Sequence, residues 1–180
     1  MSTAPSVPQP DDDDVIQLLE LHGLLGTPMY IPYHHFGYAA RNCHISAKHR
    51  ALTAGGRCVH GRALWRWGVP GGVPGQTIIF AEHHSVWEDP NGALIDVTPP
   101  PGGAQAVLFI RDDNAAIIKD GDDFLILTDL TNRPDLPRAL RGAPTEDHVW
   151  RLSSTDPNAN AYASSLEFKL ERIATDDFDE

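Results

Sequence analysis

In the first third of the chain, one stretch repeats apolar positions at helical spacing, and a second stretch is nearly free of helix breakers. Residues 15–25 repeat Val, Ile and Leu at that spacing, between an Asp run and a glycine, which predicts a helix of about 10 residues. Residues 43–54 contain few helix breakers and are followed by two glycines, which predicts a second helix. This second helix would begin at Cys43, with Asn42 as its N-cap.

Shorter apolar runs of strand length, separated by turn residues, fill the middle of the chain. Residues 77–88 and 93–97 flank Pro90-Asn91-Gly92 and predict a β-hairpin. Residues 27–38 mix prolines with aromatic residues and allow no firm assignment. Further strands are predicted at residues 57–67, 105–111 and 124–128. The prediction is an α+β fold, with N-terminal helices packed on an antiparallel sheet of about four to five strands.

The length of 180 residues and an apolar share of 41% fit one domain with its own core. Residues 1–14, rich in Pro and Asp, are predicted to form a disordered acidic tail because they cannot bury apolar surface. The single α+β domain is predicted to span residues 15–174 and to include a short helix at residues 162–173. Residues 175–180 are predicted to form a second disordered acidic tail.

The charge and the apolar runs exclude two classes of partner. The net formal charge is −11, and the two acidic ends contribute most of it, leaving about −3 for the body. A chain without a Lys/Arg stripe has little to hold a phosphate backbone, so no nucleic-acid partner is expected. Neither a signal-peptide pattern nor an apolar run of about 18 residues occurs, which predicts a soluble cytoplasmic protein without a membrane partner. Cys43 and Cys58 are then predicted to be free thiols.

Three residues in the predicted elements have the side chains of a thiol-dependent catalytic triad. Cys43 opens a helix, where the positive end of the helix dipole and unpaired N–H groups favour a thiolate. On an antiparallel hairpin, one histidine of the first strand can face Asp96 on the second strand. Cys43, His84 and Asp96 would then act as nucleophile, base and base-orienting group, without a cofactor.

Four further residues are candidates for the surroundings of this triad. The backbone N–H groups of Cys43 and His44, with the side chains of Asn42 or His44, could stabilise an oxyanion because they lie at the start of the helix. Trp65 and Trp87 are candidates for the walls of an aromatic pocket.

The motifs around these residues carry a resemblance to a known superfamily. NCH at residues 42–44, HSVW at 84–87 and DVTP at 96–99 resemble, in order and spacing, the papain-like and transglutaminase-like superfamily. They are more closely similar to a group of bacterial proteins with NCH, a Gly-Gly, an A-E-x-H-x-V-W strand and D-[VI]-T-P. The resemblance implies His84 rather than His83 as the base. It also implies an acyl-transfer or amide-hydrolysing activity of the protease, deamidase or transglutaminase-like kind, but it carries no substrate. The hairpin is shorter than in that superfamily, and an upstream glutamine for the oxyanion hole is not identified. A protein, peptide or small amide is the expected substrate.

Two other functions remain open from the residues alone. A binding or accessory protein could retain the fold without turnover, with Cys43 as a small buried apolar residue. A zinc-binding domain could use residue types that suit zinc, namely Cys43, His44, Glu82, His83 and His84. Adjacent strand residues point to opposite faces, however, and neither C-x-x-C nor H-E-x-x-H occurs, so no metal site is predicted.

Overall fold

Both predicted N-terminal helices are present in the computed structural model, which describes residues 5–40, 43–69, 72–73, 75–115, 118–120, 123–125, 130–133, 135 and 149–150. Helix α1 spans Asp13–His22 and ends at Gly23, whose left-handed backbone (φ 62°) lets the following N–H, that of Leu24, donate to the carbonyl of Leu19. Helix α2 spans Cys43–Ala54. Neither described helix is long and apolar enough to cross a membrane.

The strands in the described residues form two antiparallel sheets. Their bounds are β1 Met29–Pro32, β2 Arg57–Gly68, β3 Thr77–Glu88, β4 Leu94–Ile95, β5 Ala106–Arg111, β6 Ile118–Asp120, β7 Asp123–Leu125, β8 Leu130–Thr131 and β9 Val149–Trp150. The larger sheet has the order β1-β5-β2-β3-β4, and β8 pairs with β3 outside that path. The smaller sheet has the order β6-β7-β9. β2 and β3 pair along their whole length, from Arg57 with Glu88 to Gly68 with Thr77.

The predicted α+β class is confirmed, and the sheet is larger than predicted. The main sheet has six strands in the described part of the chain, rather than four to five. The additional strand β1 is short and carries Pro28 and Pro32 at its ends, so no alternating pattern reveals it. β4 is only two residues long. The predicted strand at residues 124–128 overlaps β7, and its remainder lies outside the described residues.

Side chains that alternate along β3 pack into separate cores on the two faces of the main sheet. One face packs against α1 through Val15, Leu18, Leu64, Ile79, Ala81, Leu108 and Ile110. The opposite face buries Ile31, Val59, Ala63, Trp65, Val86, Val107 and Phe109. A third cluster, next to α2, consists of Tyr38, Ala47, Trp87, Ile95 and Val97. Because Ala81 and Trp87 are alternate residues of β3, α1 and α2 lie on the same face.

The end of β4 is joined to the end of β1 by a seam that is centred on Asp96. Asp96 forms a parallel bridge with Tyr33. Its N–H donates to the carbonyl of Pro32, and its carbonyl accepts from the N–H of His34, each at 2.9 Å. The backbone of Asp96 is therefore held by the chain on both sides of Tyr33.

The prediction of a disordered tail at residues 1–14 is wrong for the described residues 5–14. β5 pairs with β2 only from Gly61 to Leu64, so the backbone of Arg66 is left free at that edge. Ser6 fills the place, exchanging both backbone hydrogen bonds with Arg66 at 3.0 and 2.8 Å. The Arg66 guanidinium also pairs with Asp12 and Asp14, which offsets the repulsion within the acidic run. The second predicted tail and the helix at residues 162–173 lie outside the described residues.

Candidate active site

Cys43 is the first residue of α2, as predicted, and is 6% exposed. At a helix start the first N–H groups have no partner within the helix, so they remain available to an anion beside the thiol. Asn42, the predicted cap and oxyanion candidate, lies outside the described residues.

His84 and Asp96 meet on one face of the main sheet. Ile95 pairs with Trp87 across β3 and β4, so the following residue, Asp96, projects to the face that carries His84. His84 Nε2 and Asp96 Oδ2 are 3.1 Å apart, and the two residues are 5% and 0% exposed. The other carboxylate oxygen, Oδ1, accepts the N–H of Thr98 at 2.9 Å. A carboxylate only accepts hydrogen bonds, so His84 donates from Nε2 and its neutral form keeps the lone pair on Nδ1.

Gly61 explains how a histidine fits at this point of the sheet. It is the β2 partner of His84, and a Cβ at this position would overlap the ring of Phe109. The Phe109 ring therefore lies over Gly61 and packs edge-on to the imidazole, with ring centroids 6.5 Å apart. This contact and the Asp96 hydrogen bond together fix the orientation of the His84 ring.

The thiol of Cys43 interacts with the same imidazole. Burial alone would lower the pKa of His84, but the charges of Asp96 and Cys43, together with the hydrogen bond that Asp96 accepts, raise that pKa well above its ordinary value. His84 Nδ1 is buried and makes no hydrogen bond of full geometry with the described residues. The electrostatic interaction with Cys43 is therefore not accompanied, within the described residues, by a hydrogen bond at Nδ1.

An unpaired stretch of β3 makes this contact possible. On the side away from β2, β3 pairs with β4 at Trp87 and Glu88 and with β8 at Phe80 and Ala81, and residues 82–86 between them have no strand partner in the described chain. The first turn of α2 interacts with side chains from both faces of this stretch. His44 contacts the side chains of alternate β3 residues on one face, and Cys43 interacts with His84 on the other.

His44 is buried and is held by β3. Its Nδ1 is 2.6 Å from the hydroxyl oxygen of Ser85. Burial, followed by the charges of His83, His84, His60 and Lys48, lowers its pKa well below the ordinary value, so the ring is neutral at neutral pH. The His44 side chain is thus already hydrogen-bonded to Ser85 inside the protein. The backbone N–H of His44 is therefore the better candidate for stabilising an oxyanion.

His83, the neighbour of His84, projects to the opposite face, 4.5 Å from the His44 ring between centroids. Its Nε2 bonds the carbonyl oxygen of Ala115. Burial lowers the pKa of His83 to about 4, although the Ala115 carbonyl acts in the opposite direction. The imidazole that contacts Asp96 is therefore that of His84.

Trp65 and Trp87 are not brought together. Trp65 pairs with Phe80 and belongs to the core on the face opposite α2, where its Nε1 donates to Glu82. Trp87 lies beside α2 and donates from Nε1 to the carbonyl of Gly55 at 2.8 Å. The predicted aromatic pocket between them is therefore wrong, because the two side chains occupy opposite faces and both are buried.

The zinc hypothesis also depends on which face each side chain occupies. His83 and His84 point to opposite faces of β3, as expected for neighbouring strand residues. In the part of the chain that the structure describes, no group of three or more His, Cys, Asp or Glu side chains is placed to hold a metal ion.

One buried polar residue beside the candidate triad, Ser85, was not among the sequence candidates. Ser85 is completely buried and contacts both His44 and His60 through its hydroxyl. A small polar residue at a strand position next to a candidate histidine was the only available signal. The identity of its partners depends on strand register and helix placement, which the sequence pattern does not specify.

His83 is expected to make the fold sensitive to acid. The pKa of about 4 in the folded protein lies below the ordinary value near 6.5, so the unfolded chain binds the proton more tightly. Stability is therefore lost as pH falls from about 6.5 to about 4, and His83 contributes a loss of about 3 kcal/mol. His83→Gln, whose amide can still donate to the Ala115 carbonyl but does not titrate, should show a smaller loss.

The measurement is the free energy of unfolding by urea at pH 7.5 and at pH 4. His34→Gln, at an exposed histidine, is the control and should lose as much stability in acid as the original chain. An acid loss of unchanged size in His83→Gln would contradict the assignment.

Comparison of the chain with protein-family models, with curated protein sequences and with solved structures finds no match in any of the three.

Proposed function

We propose that this protein is a thiol-dependent enzyme that transfers or hydrolyses acyl groups through a thioester on Cys43. The observation that carries the proposal is the His84 ring, which is hydrogen-bonded to the buried Asp96 through Nε2 and feels the charge of Cys43 at the start of α2. A thiol at a helix start, an imidazole and an orienting carboxylate are the groups that this chemistry requires.

The proposed reaction uses each group at a defined atom. The Cys43 thiolate attacks the carbonyl carbon, and the oxygen that becomes negative is stabilised by N–H groups of the first turn of α2. The bond to the leaving group breaks, and that group takes the proton from His84 Nδ1. Water or an amine then loses a proton to Nδ1 and attacks the thioester carbon, which releases the thiolate and completes hydrolysis or transfer.

Burial and charge around the triad support this cycle. Asp96 is fully buried and accepts two hydrogen bonds, so its charge acts on His84 in a region from which water is largely excluded. The raised pKa of His84 favours an imidazolium beside a thiolate. The α+β architecture, with the cysteine at the start of a helix beside an antiparallel sheet, also agrees with what the papain-like and transglutaminase-like resemblance implies.

The composition restricts the substrate and the compartment. Asp and Glu outnumber Lys and Arg by 25 to 14, which favours a protein, peptide or small amide over a nucleic acid as the partner. A reducing, cytoplasmic environment would keep the Cys43 thiol available for catalysis.

A second candidate function is that of a binding or accessory protein without turnover. The observation in its favour is that Cys43 is only 6% exposed. An acyl group can reach this sulfur only through a narrow opening or after neighbouring side chains move. In a non-catalytic protein the same burial would need no such access.

The two functions predict different relative reactivities of the two thiols. Burial raises the pKa of Cys58 to about 11, so on the order of one in 10⁴ of these thiols is ionised at pH 7. If Cys43 is the nucleophile, iodoacetamide should modify it at least about tenfold faster than Cys58, although Cys43 is the more buried residue. Peptide mapping by mass spectrometry gives the rate at each cysteine separately.

An acyl donor tests turnover directly. p-Nitrophenyl acetate should acetylate Cys43 and release p-nitrophenolate in a burst, and Cys43→Ala should abolish both signals. Equal alkylation of the two cysteines, together with no acetylation of Cys43, would favour the accessory protein.

A further inference from the structure

The buried hydroxyl of Ser85 is shared by two histidines from different elements. Ser85 Oγ lies 2.6 Å from Nδ1 of His44, on α2, and 2.7 Å from Nδ1 of His60, on β2. Ser85 itself is on β3 and is completely buried. The hydroxyl therefore connects the first turn of α2 to the two central strands of the sheet.

The two histidines can share a partner at this position because Ser85 offers a hydroxyl, which both donates and accepts. Burial, first among several causes, lowers the pKa of both His44 and His60, so both rings are neutral at neutral pH. A neutral imidazole either donates or accepts at Nδ1, and a hydroxyl can donate to one ring while it accepts from the other. Without the hydroxyl, both Nδ1 atoms would lose this partner, and that of His44 would do so inside the protein.

The hydrogen bond between His44 and Ser85 lies directly beside the candidate triad. His44 follows Cys43 on α2, and Ser85 follows His84 on β3. The direct neighbours of the nucleophile and of the base are thus hydrogen-bonded to each other. Because neighbouring backbone positions are rigidly linked within a helix and within a paired strand, a bond between His44 and Ser85 restricts the distance between Cys43 and His84.

We propose that Ser85 is a positioning residue, which holds the first turn of α2 against β3 through His44 and so sets the Cys43 thiol against His84. Ser85 does not contact the reacting atoms, and this role rests on the proposed function of Cys43. A purely structural serine would change stability when replaced, whereas a positioning serine must also change the ionisation behaviour of the thiol.

The test is the alkylation rate of Cys43 by iodoacetamide in the full chain, followed from about pH 5 to about pH 9. In Ser85→Ala the rate at pH 7 should fall about tenfold, and the pH midpoint of the profile should rise by about one unit. Ser85→Thr keeps a hydroxyl and should restore much of the rate. Ser46→Ala is the matched control, since Ser46 is a buried serine of the same helix turn whose hydroxyl has no partner in the described residues, and its Cys43 profile should be unchanged.

A second pair of variants keeps the test decisive if Ser85→Ala does not fold. His44→Asn places an amide near the position of Nδ1 and can still bond Ser85, whereas His44→Leu cannot. The proposal predicts an about tenfold slower Cys43 for His44→Leu than for the original chain, and a rate for His44→Asn that is clearly higher than that of His44→Leu.

Two failures are distinguishable. If Cys43 of the original chain reacts no faster than Cys58, the proposed function fails, and the role of Ser85 fails with it. If Cys43 is fast, and the Cys43 profile stays the same in a folded Ser85→Ala protein or in a folded His44→Leu protein, only the positioning role is overturned.

Discussion

Replacing His84 by glutamine is expected to lower the rate of Cys43 acetylation by about 10²–10⁴-fold, the usual contribution of a general acid–base group. The glutamine amide can reach Asp96 from nearly the position of Nε2, so the buried carboxylate keeps a donor. Nothing in the new side chain replaces Nδ1, the atom that takes the proton of the thiol. The measurement is the burst of p-nitrophenolate from p-nitrophenyl acetate, together with the mass of the acetylated chain.

His83→Gln is the matched control for this variant. It makes the same chemical change at the adjacent residue, but on the face of β3 that carries the Ala115 contact. Acetylation of Cys43 should continue at the original rate in His83→Gln. Equal losses in the two variants would show that the face of the sheet does not matter and would contradict His84 as the base.

Replacing Asp96 by asparagine is expected to lower acetylation by a similar factor, about 10²–10⁴-fold, for a reason particular to this site. The Thr98 N–H needs an acceptor and will orient the new amide with its oxygen toward Thr98. The amide nitrogen then faces His84 and donates to Nε2, which moves the ring proton to Nδ1. In that tautomer the imidazole cannot accept the proton of Cys43.

The control for Asp96→Asn is a buried ion pair elsewhere in the fold. Arg62 and Asp112 form such a pair, 3.2 Å apart and largely buried. Asp112→Asn should destabilise the fold by up to about 3 kcal/mol and leave acetylation of Cys43 intact. Loss of acetylation in both variants would show that Asp96 acts only through stability.

The raised pKa of His84 gives the stability effect of Asp96→Asn a defined pH dependence. The pKa is higher in the folded protein than the ordinary value near 6.5, so the charged pair contributes fully below about pH 6.5. That contribution is lost as pH rises through the raised folded pKa. The difference in unfolding free energy between the original chain and Asp96→Asn should therefore be larger near pH 6 than in alkaline solution.

The sequence pattern was sufficient for the elements that position Cys43 and His84. Helix α2 and strand β3 have the predicted bounds, because glycines end the helix, and apolar residues at both ends of the strand are bounded by turn residues. β1 and the packed segment at residues 5–14 could not be predicted in this way. Each is stabilised by a distant strand edge, on β5 or on β2, rather than by a pattern of its own.

The surroundings of the triad were less predictable than the triad residues. The prediction of a tryptophan pocket was wrong because Trp65 and Trp87, although both lie on strands of the same sheet, point to opposite faces. Ser85 was not a candidate because its importance comes from His44 and His60, which reach it from two other elements. Pairings of this kind depend on register and helix placement and require coordinates.

The seam at Asp96 makes the proposed reactivity a property of the cooperative fold rather than of the hairpin. The acid's backbone is hydrogen-bonded to Pro32 and His34, which come more than 60 positions earlier in the chain. An isolated hairpin would contain the imidazole and the carboxylate but would lack the segment that immobilises the latter. Local unfolding between β1 and β4 would release Asp96 and so remove the proposed reactivity of the thiol, while most of the sheet stayed folded. Inactivation on heating or in denaturant should therefore begin before global unfolding.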